Sequence, residues 1–361
     1  SVVFIFIMSM HYRLRCLIVI LWMSTASFYV FKYRYLDPTL KTRKGEIKED
    51  MDIDQWMDNR KILYKERAKM VELACEKFKI RRGEITRGNF FGIGNNLNVR
   101  RNQDSRIENP DPSHFAVIRP HKSMACLINK VASTSLASHL LKLNGYEDLG
   151  PSPHSGLDRI APKSADGLRY YNKTFYKFMF VRDPMSRLLS CFHDKIVMNP
   201  ERNFWFRRHV LQTIRGKELP ATKNVLRTTG NEVPSFEEFI QYILEDDIQD
   251  KFKSHWSPYW SYCTPCSIQY DMIGKLETNT ADFKYLWKKF GWIEPVPVAN
   301  SYKMSQETKN AYVSSLSREI ILRIYKRYQI DYEMFEYDIN AVLEVAKAAP
   351  LTDQELSESE Y

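Results

Sequence analysis

Residues 124–136 read Met124-Ala-Cys-Leu-Ile128-Asn129-Lys130-Val131-Ala132-Ser133-Thr134-Ser135-Leu136. The first five are apolar and bounded, the pattern of a short strand buried on both faces. Small and hydroxyl residues follow. Leu136, Leu140, Leu141 and Leu143 then recur at helical spacing up to Gly145. A helix N-terminus offers unpaired N–H groups and a partial positive charge, and small residues before it let an anion approach the backbone. Lys130 adds an ammonium, and Ser133 and Thr134 add hydroxyl donors. The same residues also suit an ordinary strand-to-helix turn closed by a capping hydroxyl, so this loop alone does not decide.

Outward from it, Phe175–Val181 predicts a second buried strand. Arg182-Asp183-Pro184 follows, with Pro184 near the first turn of a helix through about Ile196. Arg182 leaves the strand at the edge of a parallel sheet where ligands bind. Ser190, eight residues on, faces that edge only if the intervening turn bends back. Arg187 either shares the face or is solvated, and Arg182 with Asp183 also suits a structural ion pair. The Walker pattern G-x-x-x-x-G-K-[ST] is absent, which counts against a nucleoside triphosphatase. Two anion sites on adjacent strand ends suit a nucleotide with phosphates at both extremities.

The remaining elements complete an α/β fold: a P-loop-like, mostly parallel central sheet flanked by helices. A helix is expected over Trp56–Lys79 and loop over 81–112. Ser235-Phe-Glu-Glu238 has capping-box spacing and opens a helix to about Leu244. A third strand is read at Ile268–Ile273, with helices at Asp282–Phe290 and about Glu307–Tyr328. Residues 16–31 carry no charge and lie between Arg13, Arg15 and Lys32, Arg34. They predict a membrane-spanning signal anchor, because no small-x-small cleavage site follows. The expected organisation is a cytosolic tail (1–15), transmembrane helix (16–34), stem and lead-in (35–112), catalytic domain (113–340) and solvated acidic tail (341–361).

The 361 residues carry a formal net charge of +9, which suggests an anionic partner. A nucleic-acid binder explains that charge but neither the membrane segment nor the paired phosphate loops. Beyond the apolar segment lie Cys75, Cys126, Cys191, Cys263 and Cys266, so in an oxidising compartment at least one stays unpaired. Cys263-Thr-Pro-Cys266 has the spacing of half a zinc site, but no second such pair exists and no metal is expected. Asn172-Lys173-Thr174 is a glycosylation acceptor triplet. Arg202, Arg207, Arg208 and His209, interleaved with Phe204, Trp205 and Phe206, suit either an acidic-glycan surface or a core helix with a solvated basic face.

The chain resembles the Golgi carbohydrate sulfotransferases that include the chondroitin and dermatan 4-O-sulfotransferases. Cys126-Leu-Ile-Asn129-Lys130-Val-Ala132-Ser133-Thr134 is similar to their Cys-x-x-Pro-Lys-x-[Gly/Ala]-[Cys/Ser]-Thr loop. Phe180-Val-Arg182-Asp183-Pro184-Met-Ser-Arg187-Leu-Leu-Ser190 is similar to their second site. His255-Trp256-Ser-Pro258, Cys263-Thr-Pro-Cys266, Tyr270-Asp271, Gly274-Lys275-Leu-Glu277 and Ile324-Tyr325…Asp331-Tyr-Glu-Met-Phe335 follow in the family's order, so the resemblance covers about Ser113 to Tyr337. Asn129 stands where the family usually has Pro, which is expected to loosen the loop. Ser133 stands where Cys is frequent.

The resemblance implies sulfuryl transfer from 3'-phosphoadenosine 5'-phosphosulfate to a glycan or proteoglycan hydroxyl, by a type II Golgi membrane protein with a lumenal body. Lys130, Val131, Ala132, Ser133 and Thr134 are then expected to bind the 5'-phosphosulfate, and Arg182 and Ser190 the 3'-phosphate. Lys130 and His255 are the expected catalytic residues, His255 as general base, with Glu277, Asp271, His193 and His154 as alternatives. A catalytically silent relative that binds acidic glycans is the competing reading, and a phosphoryl-transfer enzyme a third. The acceptor sugar and the oligomeric state are not legible.

Overall fold

The computed structural model describes residues 52–83, 85, 107–108, 110–149, 152–198, 203–216, 233–245, 253–292, 304–352 and 355. The expected cytosolic tail and signal anchor, most of the stem and Arg202 lie outside the described residues. Among those described, no helix is long and apolar enough to cross a membrane. The chain divides at Met57/Asp58 into two units, the first represented only by the start of the first helix.

That helix, α1, spans Ile53–Lys77. Two two-residue strands, β1 (Arg81–Arg82) and β2 (Ile107–Glu108), then pair in parallel within the stretch read as loop. The main sheet has four strands, β3 (Phe115–Ile118), β4 (Ser123–Cys126), β5 (Tyr176–Val181) and β6 (Met272–Lys275), in that order. β3 and β4 form an antiparallel hairpin, while β4–β5 and β5–β6 are parallel. Residues 115–118 and 123–126 are buried throughout, as near-continuous apolar strands in a covered sheet must be. The third parallel strand starts four residues later than Ile268, because Ser267 and Ile268 donate to the Thr264 carbonyl in a turn. Gly274 in β6 has a physical requirement: a Cβ there would lie 2.5 Å from the Phe180 ring.

The helices are α2 (Ser133–Leu143), α3 (Ala165–Thr174), α4 (Pro184–Phe192), α5 (Phe204–Arg215), α6 (Phe236–Leu244), α7 (Asn279–Phe290), α8 (Gln306–Ser314), α9 (Arg318–Met334) and α10 (Ile339–Val345), with a single turn at Tyr259–Tyr262. The helix expected from Pro184 to Ile196 ends as α at Phe192 and continues as a π-helix, His193–Met198. The Ser235–Glu238 capping box forms. The single helix expected over 307–328 is two, because Ser317 caps a new N-terminus by accepting from the Ile320 N–H. The run expected as a solvated tail from residue 341 instead carries most of α10, with Val342, Leu343 and Leu351 buried. It belongs to a helical core built by Met185, Leu188, Phe192, Phe206, Phe239, Trp256, Ile321 and Tyr328.

The Cys-Thr-Pro-Cys turn is a double staple. Cys126 at the end of β4 pairs with Cys263, and Cys75 on α1 pairs with Cys266. Sequence left this pairing open; among the described cysteines Cys191, buried, is the free thiol. The Cys126–Cys263 bridge closes a sequence separation of 137, worth about 5 kcal/mol in the chain-entropy account. Tyr64 on α1 donates to Asp282 (2.8 Å) and Arg67 donates to the Ile273 carbonyl (2.6 Å), tying the lead-in helix to β6 and α7.

Candidate active site

The parallel strands β4, β5 and β6 end side by side, with Cys126 opposite Met179 and Val181 opposite Lys275. Each strand end carries one of the motifs. After β4, Lys130 (φ 72°) and Ala132 (φ 61°) both take the left-handed conformation that non-glycine residues rarely adopt. Alternation of this kind turns successive backbone N–H groups toward one side, forming a nest for an anion. Ala132 is the N-cap of α2 and has no capping side chain, so the first N–H groups of the helix keep their capacity for an external acceptor. This overturns the capping-hydroxyl alternative. Val131 and Ser133 are buried. The Val131 side chain is thus part of the core. Thr134 Oγ1 lies 3.1 Å from His154 Nε2.

After β5, Arg182 is half-buried and its Nη1 donates to the Lys130 carbonyl at 3.5 Å. The two motifs therefore meet at Lys130. Burial pulls the Arg182 guanidinium's pKa down, opposed by Tyr259, Glu277 and Asp183 around it. Tyr259 fixes the strand end from both sides, accepting from the Arg182 N–H (3.0 Å) and donating to its carbonyl (3.2 Å). Asp183 does not pair with Arg182. It caps α4 by accepting from the Ser186 N–H (2.7 Å), and its own N–H donates to Glu277 Oε1 (3.0 Å) at the end of β6.

Arg187 is neither solvated nor open to a ligand: it is 1% exposed. Its guanidinium donates to the carbonyls of Asn129 (3.1 Å), Ser257 (2.6 Å) and Ser254 (3.2 Å) and stacks over Tyr259 at 4.7 Å. The Asn129 amide adds a bond to Ser254 Oγ at 3.0 Å. The loosening expected from Asn129 in place of Pro is therefore not what the structure shows, because the side chain ties the loop. These contacts clasp the Lys130 loop to the 254–258 segment. His255 lies in that segment, half-buried in a single turn, Lys253–His255. Asp331 holds its far end, accepting from the Tyr259 and Trp260 N–H groups (2.7 and 3.0 Å).

Arg187 on α4 and Asp194 on its π-helical extension both reach the Lys130 loop, and Ser190, half-buried, lies between them in the chain. Asp194, which sequence reasoning passed over, pairs with Lys130 (3.1 Å) and Lys195 (3.3 Å). Burial works against its charge, yet the two lysines hold its carboxyl below the usual range. His154 is depressed by burial and then by Lys195 and Lys130, and His193 by burial and then by Lys130. Both shifts favour the uncharged imidazole. Asp271 is elsewhere: it accepts from the Lys177 N–H (2.7 Å) at the opposite end of β5. Sequence gave no signal for Asp194 or Tyr259 beyond their nearness to the motifs.

Residues 113–338 match the sulfotransferase family. Carbohydrate sulfotransferase 11 of Rattus norvegicus is 29% identical over 243 residues, 63% of this chain and 68% of the relative. Carbohydrate sulfotransferase 10 of Rattus norvegicus is 32% identical over 236 residues, 60% of this chain and 65% of the relative. Carbohydrate sulfotransferase 14 of Danio rerio is 26% identical over 243 residues, 63% of this chain and 62% of the relative. No solved structure is significantly similar. With the family's match covering most of the chain, and the Lys130, Arg182 and Glu277 motifs following neighbouring ends of one sheet's parallel strands, the protein belongs to the sulfotransferase family.

Proposed function

We propose that the chain transfers a sulfuryl group from 3'-phosphoadenosine 5'-phosphosulfate to a hydroxyl of a glycan. The observation that carries this is the meeting of two cationic strand-end motifs at Lys130. One donor with anionic groups at both ends of an adenosine fits such a pair. The nest and the N-terminus of α2, with Lys130, Ser133 and Thr134, suit the 5'-phosphosulfate. Arg182 and Ser190 suit the 3'-phosphate. The acceptor oxygen attacks sulfur in line, forming the new S–O bond as the bond to the 5'-phosphate oxygen breaks. The products are the sulfate ester and adenosine 3',5'-bisphosphate. Charge grows on the bridging oxygen, where the Lys130 ammonium and the helix N-terminus stabilise it. A histidine takes the hydroxyl proton: His255 on the clasped segment, or His154, hydrogen-bonded to Thr134.

The glycan acceptor is drawn from the names of the relatives. The two disulfides accord with an oxidising lumen, and the apolar run at 16–31 with a type II Golgi membrane anchor. Transfer of labelled sulfate to a glycan panel tests the reading. Lys130→Ala is expected to cut the rate about a hundredfold, the scale of losing one preorganised charge contact. An unchanged rate removes Lys130 from the mechanism. Glycan binding without any transfer by the unaltered chain favours the silent relative.

A further inference from the structure

Helix α1 turns one side to the body of the protein and the other to solvent. Tyr64, Arg67, Val71 and Ala74 are buried. Tyr64 and Arg67 bond to Asp282 and the Ile273 carbonyl, and Cys75 is bridged to Cys266. The helix is thus fixed to the body, and its outer side is a held surface rather than a loose stalk. Opposite the buried stripe stand Ile62, Glu66, Lys69 and Leu73, all exposed, at i, i+4, i+7 and i+11. Ile62 is 55% and Leu73 46% exposed, on the side of a surface helix that is ordinarily polar. Among the described residues the exposed ion pairs of α1 are Lys61 with Asp58 and Lys77 with Glu333, and Glu66 and Lys69 belong to neither.

Steps of four, three and four residues are those of a seam along which two helices pack. The order of residues along this seam selects the partner. Two aliphatic ends, about 16 Å apart, enclose one acid and one base. A two-fold axis crossing the helix between Arg67 and Ala68 sets Ile62 against the partner's Leu73 and Glu66 against the partner's Lys69, and each contact occurs twice. Parallel pairing in register instead sets Glu66 against the partner's Glu66 and Lys69 against the partner's Lys69, like charge on like. The stripe is therefore complementary to itself in the antiparallel sense alone.

We propose that this face of α1 is the contact by which two copies of the chain pair, antiparallel about that axis. Nothing in the pairing depends on the chemistry at the Lys130 loop. The test is sedimentation equilibrium of the full chain in a non-ionic detergent at low ionic strength, over about 1–300 µM, the range suited to a small interface. The unaltered chain is expected to show a reversible monomer–dimer equilibrium. Glu66→Lys and Lys69→Glu each turn two attractive pairs into two repulsive ones and are each expected to weaken the dimer about tenfold. Mixed in equal amounts, the two variants regain the unaltered affinity as a heterodimer, because two lysines on one copy then face two glutamates on the other. Misfolding of either variant cannot produce that recovery. A chain that stays monomeric throughout, a dimer that tolerates both reversals, or variants that remain apart on mixing overturns the pairing.

Discussion

Arg187→Lys is the substitution that reaches furthest. Arg187 is 1% exposed and its planar fork serves three carbonyls, those of Asn129, Ser257 and Ser254, at 3.1, 2.6 and 3.2 Å. An ammonium on a flexible stem is a point donor and cannot span carbonyls from two separate loops. It keeps about one contact and leaves two buried acceptors unmet, at about 1–3 kcal/mol each. A central value of about 4 kcal/mol is a large share of a domain stability of about 5–15 kcal/mol. In a domain of this size it lowers Tm by about 8–16 °C. The same loss releases the Lys130 loop from the 254–258 segment, so the affinity for adenosine 3',5'-bisphosphate falls as well. Thermal unfolding under non-reducing conditions and calorimetric titration read the two effects. A Tm within about 2 °C of the unaltered protein, with nucleotide affinity intact, refutes the clasp.

Two other outcomes follow from the same contacts. Burial pushes Glu108, which accepts from the Cys266 and Ser267 N–H groups (3.1 and 2.6 Å), up to about 7, and Asp331 likewise up to about 7. A carboxyl whose folded pKa is raised makes the folded state bind the extra proton, so its stabilisation is complete at low pH and is lost as pH rises through about 7. Tm is therefore expected to rise as pH falls from about 8 to about 6, and Glu108→Gln with Asp331→Asn to flatten that slope; a Tm that falls over this range contradicts the assignment. Asp194→Asn removes the carboxylate that competes with a phosphate for Lys130. Because the pair is partly exposed, the gain in nucleotide affinity is at most about fivefold, and a loss of affinity shows instead that Asp194 positions the ammonium.

Much of the strand-end edge was legible in sequence because local chemistry dictates it. An apolar run gives a buried strand, and Pro184 and the Ser235–Glu238 box set helix starts that depend on few distant contacts. What was not legible depends on residues far apart in the chain. Arg187 reads as either facing the strand end or solvated until Ser254 and Ser257 fold back onto it. Asp194 gains its role from Lys130, sixty-four positions earlier. The partners of the Cys-Thr-Pro-Cys turn stay open until Cys75 and Cys126 arrive from α1 and β4. β3 was missed because its four residues pair as a hairpin with β4 across a turn whose left-handed residue is Lys122, not glycine. β6 was placed too early because Ile268 is apolar for burial in a turn rather than for a strand.

The most direct measurement is calorimetric titration of adenosine 3',5'-bisphosphate into the full chain and into Lys130→Ala and Arg182→Ala. If the strand-end motifs hold opposite ends of one nucleotide, the unaltered protein binds with a stoichiometry of about one, and each variant loses about 2–3 kcal/mol, roughly thirty- to a hundred-and-fifty-fold in Kd. Binding by both variants at the unaltered affinity, or no binding by the unaltered protein, contradicts the shared donor site.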